Sequence, residues 1–96
     1  MSPLNKKKLN TLREKLDIID DHLLKLVKKR SILVGEVLKL KKFKSEIVDK
    51  KRINFILQKI KTKSIKRNID PKITNRIWKN MIWSFIDYEK RNFKKK

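Results

Sequence analysis

The stretch that decides the fold is Leu9–Leu40, LNTLREKLDIIDDHLLKLVKKRSILVGEVLKL. In it Leu9, Leu12, Leu16, Ile19, Leu23 and Leu26, then Leu33, Val37 and Leu40, keep to steps of three and four. That spacing predicts one helix from about Asn5 to Phe43 with a heptad-like apolar seam. Only Gly35 interrupts it, and a helix tolerates one glycine. At 1.5 Å per residue such a helix is about 58 Å long. A compact chain of this size has a radius of gyration of only about 12–13 Å. The remaining residues are too few to cover the seam, so it calls for a partner, most simply a second copy of the same chain.

Two further helices follow. Lys44-Ser45-Glu46-Ile47-Val48 breaks the pattern, and Asp49 reads as the N-cap of a helix with Ile53, Ile56, Leu57 and Ile60 on one face. Asp70-Pro71 is an N-cap followed by proline at the first helical position. The third helix carries Ile73, Ile77, Trp78, Met81, Ile82, Phe85 and Ile86. Residues 93–96 read as a solvated basic tail. The expectation is a single all-α domain over residues 1–96, with no internal repeat and no flexible linker.

Composition narrows the class. Ninety-six residues allow one domain with a modest core. One glycine and two prolines leave little turn material for an all-β fold. With no cysteine there is neither a disulfide framework nor a thiolate metal site. No run approaches the roughly 18 apolar residues of a membrane span. The basic start Lys6-Lys7-Lys8 lacks the apolar run of a secretory signal. A cytoplasmic protein, with no membrane partner, is the default expectation.

The charge is extreme: 29 Lys plus Arg against 10 Asp plus Glu, a net +19. Basic chains bind nucleic acid or acidic membranes. Composition offers a plainer account, because lysine supplies 23 of the cations, Ile and Asn are abundant and alanine is absent. These residues have AT-rich codons. The aromatics are not interleaved with the basic runs, so no base-stacking platform is visible. A nucleic-acid partner is therefore the lesser expectation.

The informative residues are charges that break the pattern. Arg30 lies four after Leu26 and three before Leu33, within the seam. A buried arginine needs a partner. An interfacial ion pair, a register-fixing polar residue and an anion site each satisfy that need. Lys41 follows eleven residues later, about three turns on and nearly on the same face. Arg13 lies one past the seam and could meet Arg30 and Lys41 of an antiparallel copy. Arg52 stands in the first turn after the Asp49 cap, where the helix dipole favours anions. Glu89 extends the column Trp78, Ile82, Phe85. His22 reads as a solvated helix histidine. No second His or Cys stands at ligand spacing, so no metal or other cofactor is expected. There is also no nucleophile-plus-base constellation and no Gly-rich phosphate loop.

The block Leu9-x-x-Leu12-Arg13-Glu14-Lys15-Leu16-Asp17-x-Ile19-Asp20-x-x-Leu23-Leu24-x-Leu26 resembles the opening of the all-helical chorismate mutases, the type II family in its bacterial dimeric form. The resemblance continues through Arg30, Val37-x-x-x-Lys41, Asp49-x-x-Arg52 and Ile69-Asp70-Pro71-x-Ile73-x-x-x-Ile77-Trp78. It implies a three-helix subunit with one long N-terminal helix, in an intertwined homodimer with two sites. It implies that Arg13 crosses to the partner's site, that Arg30 and Arg52 hold substrate carboxylates, and that Lys41 reaches the ether oxygen. It also implies that Asp49 sits near the substrate hydroxyl and that Glu89 takes the place of a glutamine. The reaction implied is the Claisen rearrangement of chorismate to prephenate, in the shikimate pathway to Phe and Tyr. That chemistry needs no nucleophile, metal or general base. Bidentate arginines suit a dicarboxylate, and the site holds a reactive conformer while stabilising charge on the ether oxygen.

Three departures stand out. Ile53 replaces the glutamate that commonly follows the Arg52 position and binds the substrate hydroxyl. The Lys41–Asp49 loop is one residue shorter than in well-known members. Glu89 replaces glutamine, as in the fungal branch, and Phe85 stands where a serine is expected. An apolar residue after the arginine also occurs in the isochorismate pyruvate lyases of the same fold, so that activity is the first alternative. A mutase of the 4-amino analogue is another, and a basic helical nucleic-acid-binding dimer is the rival from a different class. A carboxylate at Glu89 would repel the charge growing on the ether oxygen, so only the protonated acid can donate a hydrogen bond there.

Overall fold

The computed structural model describes residues 1–95. Its order is α1 (Pro3–Leu40), a 3₁₀ turn (Lys44–Glu46), α2 (Lys50–Lys66) and α3 (Pro71–Asn92). The expected three-helix, all-α subunit with a long N-terminal helix is what the chain forms.

Each helix start follows from local chemistry. Helix α1 begins two residues earlier than expected. The Ser2 hydroxyl accepts from Asn5 N at 3.1 Å, and Pro3 opens the helix where its missing N–H costs nothing. In α2, Asp49 Oδ1 accepts from Arg52 N at 3.0 Å. In α3, Asp70 Oδ1 accepts from Lys72 N at 2.9 Å, with Pro71 again in the first turn. Helix α1 stops at Leu40, three residues short of expectation, and Lys41 N bonds back to Leu38 O.

The chain divides into two compact units, residues 1–33 and residues 34–96. The first unit is α1 up to Leu33. Nothing on α1 is buried, and Leu12, Leu16, Ile19, Leu23 and Leu26 are each 51–58% exposed. An apolar row of that length left in water is unfavourable by the area it exposes.

The second unit is a small core with α2 packed on α3. Its centre is Ile47, Ile82 and Ile86, with Leu38, Val48, Ile53, Ile56, Leu57 and Phe93 partly buried around them. Ile47 is only 3% exposed although it lies just past a 3₁₀ turn in the segment between helices. Phe93 joins this core, while Lys94 and Lys95 are exposed; the last residue of the expected basic tail lies outside the described residues.

The α2–α3 turn is built without glycine. Asn68 adopts φ 56°, Asn68 N bonds to Ile65 O and Ile69 N to Ser64 O, which is a Schellman closure. Asparagine tolerates the left-handed conformation better than other non-glycine residues. Beside the turn, the buried Ser64 and Thr74 hydroxyls bond each other at 2.7 Å. Thr74 therefore faces α2, and the expected core residues Ile73 and Ile77 stay about half exposed.

Candidate active site

The pattern-breaking charges fall into both units. Arg13 and His22 are exposed on the first, and Arg30 is half-buried there. Lys41, Asp49, Arg52 and Glu89 all belong to the second.

Lys41 follows the C-terminal end of α1, and Glu89 lies on the last turns of α3, in one buried row with Thr74, Ile82 and Ile86. Lys41 Nζ donates to Glu89 Oε2 at 2.7 Å, joining residues 48 apart in sequence. The two side chains are only 17% and 9% exposed. Low local dielectric strengthens such a contact. An ammonium has three protons, so Lys41 keeps two for another acceptor.

Lys41 also lines a cleft of about 550 Å³ with Glu46, Val48, Asp49, Lys50 and Lys51. One Asp49 oxygen serves the α2 cap, and the other takes no part in it. Glu46 Oε1 accepts from Phe43 N at 3.2 Å, which turns this side chain back along the loop. The sequence reading passed over Glu46. Its signal was the spacing Phe43-x-x-Glu46, which lets an acid three residues on satisfy a backbone donor.

Arg52 is exposed, and its guanidinium lies 5.3 Å from the centre of the Phe55 ring. Lys59 Nζ lies 5.7 Å from the same centre. No acid occurs in the first turn of α2, so Lys50, Lys51 and Arg52 crowd the positive end of the helix dipole. Ile53, at the position of the missing glutamate, turns toward the core cluster.

Lys41 is thus brought to Glu89 by packing and to Asp49 by the shared cleft, and Arg52 meets Asp49 through the cap. Among the described residues no group of three or more His, Cys, Asp or Glu side chains gathers where it could hold a metal ion, and no helix is long and apolar enough to cross a membrane. The arrangement can bind an anion with cations and offer a hydrogen-bond pair at its buried end.

Comparison with curated proteins gave no match, and comparison with solved structures gave none. Residues 12–90, most of the chain and the span from Arg13 to Glu89, match the family model described as chorismate mutase type II, and the chain belongs to that family.

Proposed function

We propose that this protein converts chorismate to prephenate in aromatic amino-acid biosynthesis, by clamping the substrate dianion between cations. The observation that carries this reading is the Lys41–Glu89 pair at 2.7 Å. It supplies an ammonium with protons to spare at a largely buried position, where charge on an ether oxygen is best stabilised. Arg30 and Arg52 hold the carboxylates in this reading. Bidentate guanidinium contacts restrict the substrate to the conformer whose ends can bond.

The active form is a homodimer. The exposed row Leu12, Leu16, Ile19, Leu23 and Leu26 supports it, because a second copy would cover that row and deliver Arg13. With Ile53 in the core, the substrate hydroxyl falls to Asp49, whose second oxygen is not used by the cap.

The test is the product formed when purified protein meets chorismate and, separately, isochorismate. Prephenate from chorismate is the expected result. Pyruvate from isochorismate, without prephenate, would make the protein a lyase of the same fold, and turnover of neither would overturn both readings.

A further inference from the structure

Helix α2 buries Ile53, Ile56, Leu57, Ile60 and Ser64 to varying degrees on one side, and Arg52, Phe55 and Lys59 fall on the opposite side. Phe55 is 54% exposed and takes no part in the core cluster. The ring is available to the cations on either side of it.

The Arg52 guanidinium lies 5.3 Å from the ring centre, one turn away, and Lys59 Nζ lies 5.7 Å from it on the next turn. Both fall within the roughly 6 Å reach of a cation–π contact. Arg52 has no carboxylate within ion-pair distance among the described residues. Its backbone N–H is engaged by Asp49, which anchors the start of the side chain. A guanidinium stacked on a ring has one face covered, while its N–H edges stay open to a planar acceptor. A ring thus holds the arginine without competing for the protons that an anion would use. A carboxylate partner, as Glu89 is for Lys41, would occupy them.

We propose that Phe55 is a positioning residue: its ring holds the Arg52 guanidinium with its N–H edges open, so that Arg52 meets a substrate carboxylate already ordered. This rests on the reading that Arg52 binds substrate. Lys59 shares the ring. The effect falls on binding and leaves the bond rearrangement itself untouched, since the ring contacts no reacting atom.

The experiment measures KM and kcat for chorismate with the full chain and with Phe55→Leu, Phe55→Tyr, Phe55→Trp and Arg52→Ala. Phe55→Leu keeps an apolar side chain of similar reach but removes the ring. It should raise KM by about 2–5-fold, the size of an exposed cation–π contact, with kcat unchanged. Phe55→Tyr and Phe55→Trp should restore the parent KM. A merely structural role would lower the melting temperature and would not follow the presence of a ring. The Arg52 Nε–H resonance should also move toward its free-arginine position in Phe55→Leu and stay shifted in Phe55→Trp. If Arg52→Ala raises KM while Phe55→Leu matches the parent, the positioning role is overturned and the substrate-binding role of Arg52 stands. If Arg52→Ala itself matches the parent, the placement of Arg52 in the site falls, and the positioning role with it.

Discussion

Lys41 Nζ and Glu89 Oε2 lie 2.7 Å apart, joining the end of the first helix to the end of the third. This contact closes the far side of the second unit's core, next to Ile86. It is a structural tie as well as the centre of the proposed chemistry, and the two roles make separable predictions.

As a tie, the pair should obey the asymmetry of buried ions. Lys41→Met leaves the Glu89 carboxylate largely out of water with no cation beside it, at a cost of about 3 kcal/mol. Lys41→Met combined with Glu89→Leu removes both charges and should recover most of that loss. Urea unfolding at one fixed protein concentration checks this, because a dimer's apparent stability depends on concentration. Equal losses in the single and double variants would mean that the pair is solvated.

As chemistry, the pair should make activity depend on the hydrogen-bond donor that position 89 offers. Glu89 can assist the ether oxygen only while it carries a proton, whereas glutamine offers an N–H donor at any pH. Glu89→Gln, which supplies that donor, should keep or raise kcat/KM, and Glu89→Leu, which supplies none, should lower it; steady-state kinetics of both variants at one fixed pH check this. Equal kcat/KM for the parent and both variants would remove Glu89 from the reaction.

The α1 seam should hold two chains together. Light scattering at micromolar concentration should give about twice 11.7 kDa. Arg30→Ala should lower kcat/KM by at least about 100-fold, the loss typical of a charge-assisted contact to a buried carboxylate. Arg13→Ala and Arg30→Ala subunits, each inactive alone, should regain activity when exchanged into heterodimers. A folded, active monomer would refute the seam, and exchange without recovery would refute the shared site.

The hydroxyl pair at the α2–α3 turn gives a prediction about stability alone. Ser64 Oγ bonds Ile60 O at 2.6 Å and Thr74 Oγ1 at 2.7 Å. Ser64→Ala strips the buried Thr74 hydroxyl of its short contact, leaving Pro71 O at 3.4 Å, and should cost about 1–3 kcal/mol. Adding Thr74→Val should return much of this. Thermal unfolding of the three variants decides it, and a neutral Ser64→Ala would show that the hydroxyl is otherwise satisfied.

The three helices and the second and third N-caps were legible in the sequence, because a cap is an interaction over two or three residues. Asp49 binds the N–H of Arg52 and Asp70 that of Lys72, as their spacing foretold. The apolar row of α1 was legible for the same reason: a helix repeats every 3.6 residues whatever surrounds it. What the sequence left open was settled by contacts between residues distant in the chain. Glu89 extends an apolar column in the sequence, which does not name its partner, and the packing of α3 buried it against a lysine 48 residues away. Ile47 sits in a segment read as a break, yet it lies at the centre of the core. Ile73 and Ile77 matched the apolar pattern but stay exposed, since the side of α3 with Thr74, Ile82 and Ile86 is the one that packs inward. Periodicity states which residues share a face, but only the tertiary fold chooses the neighbour that face will meet, because that choice depends on the joint packing of side chains the local sequence does not contain.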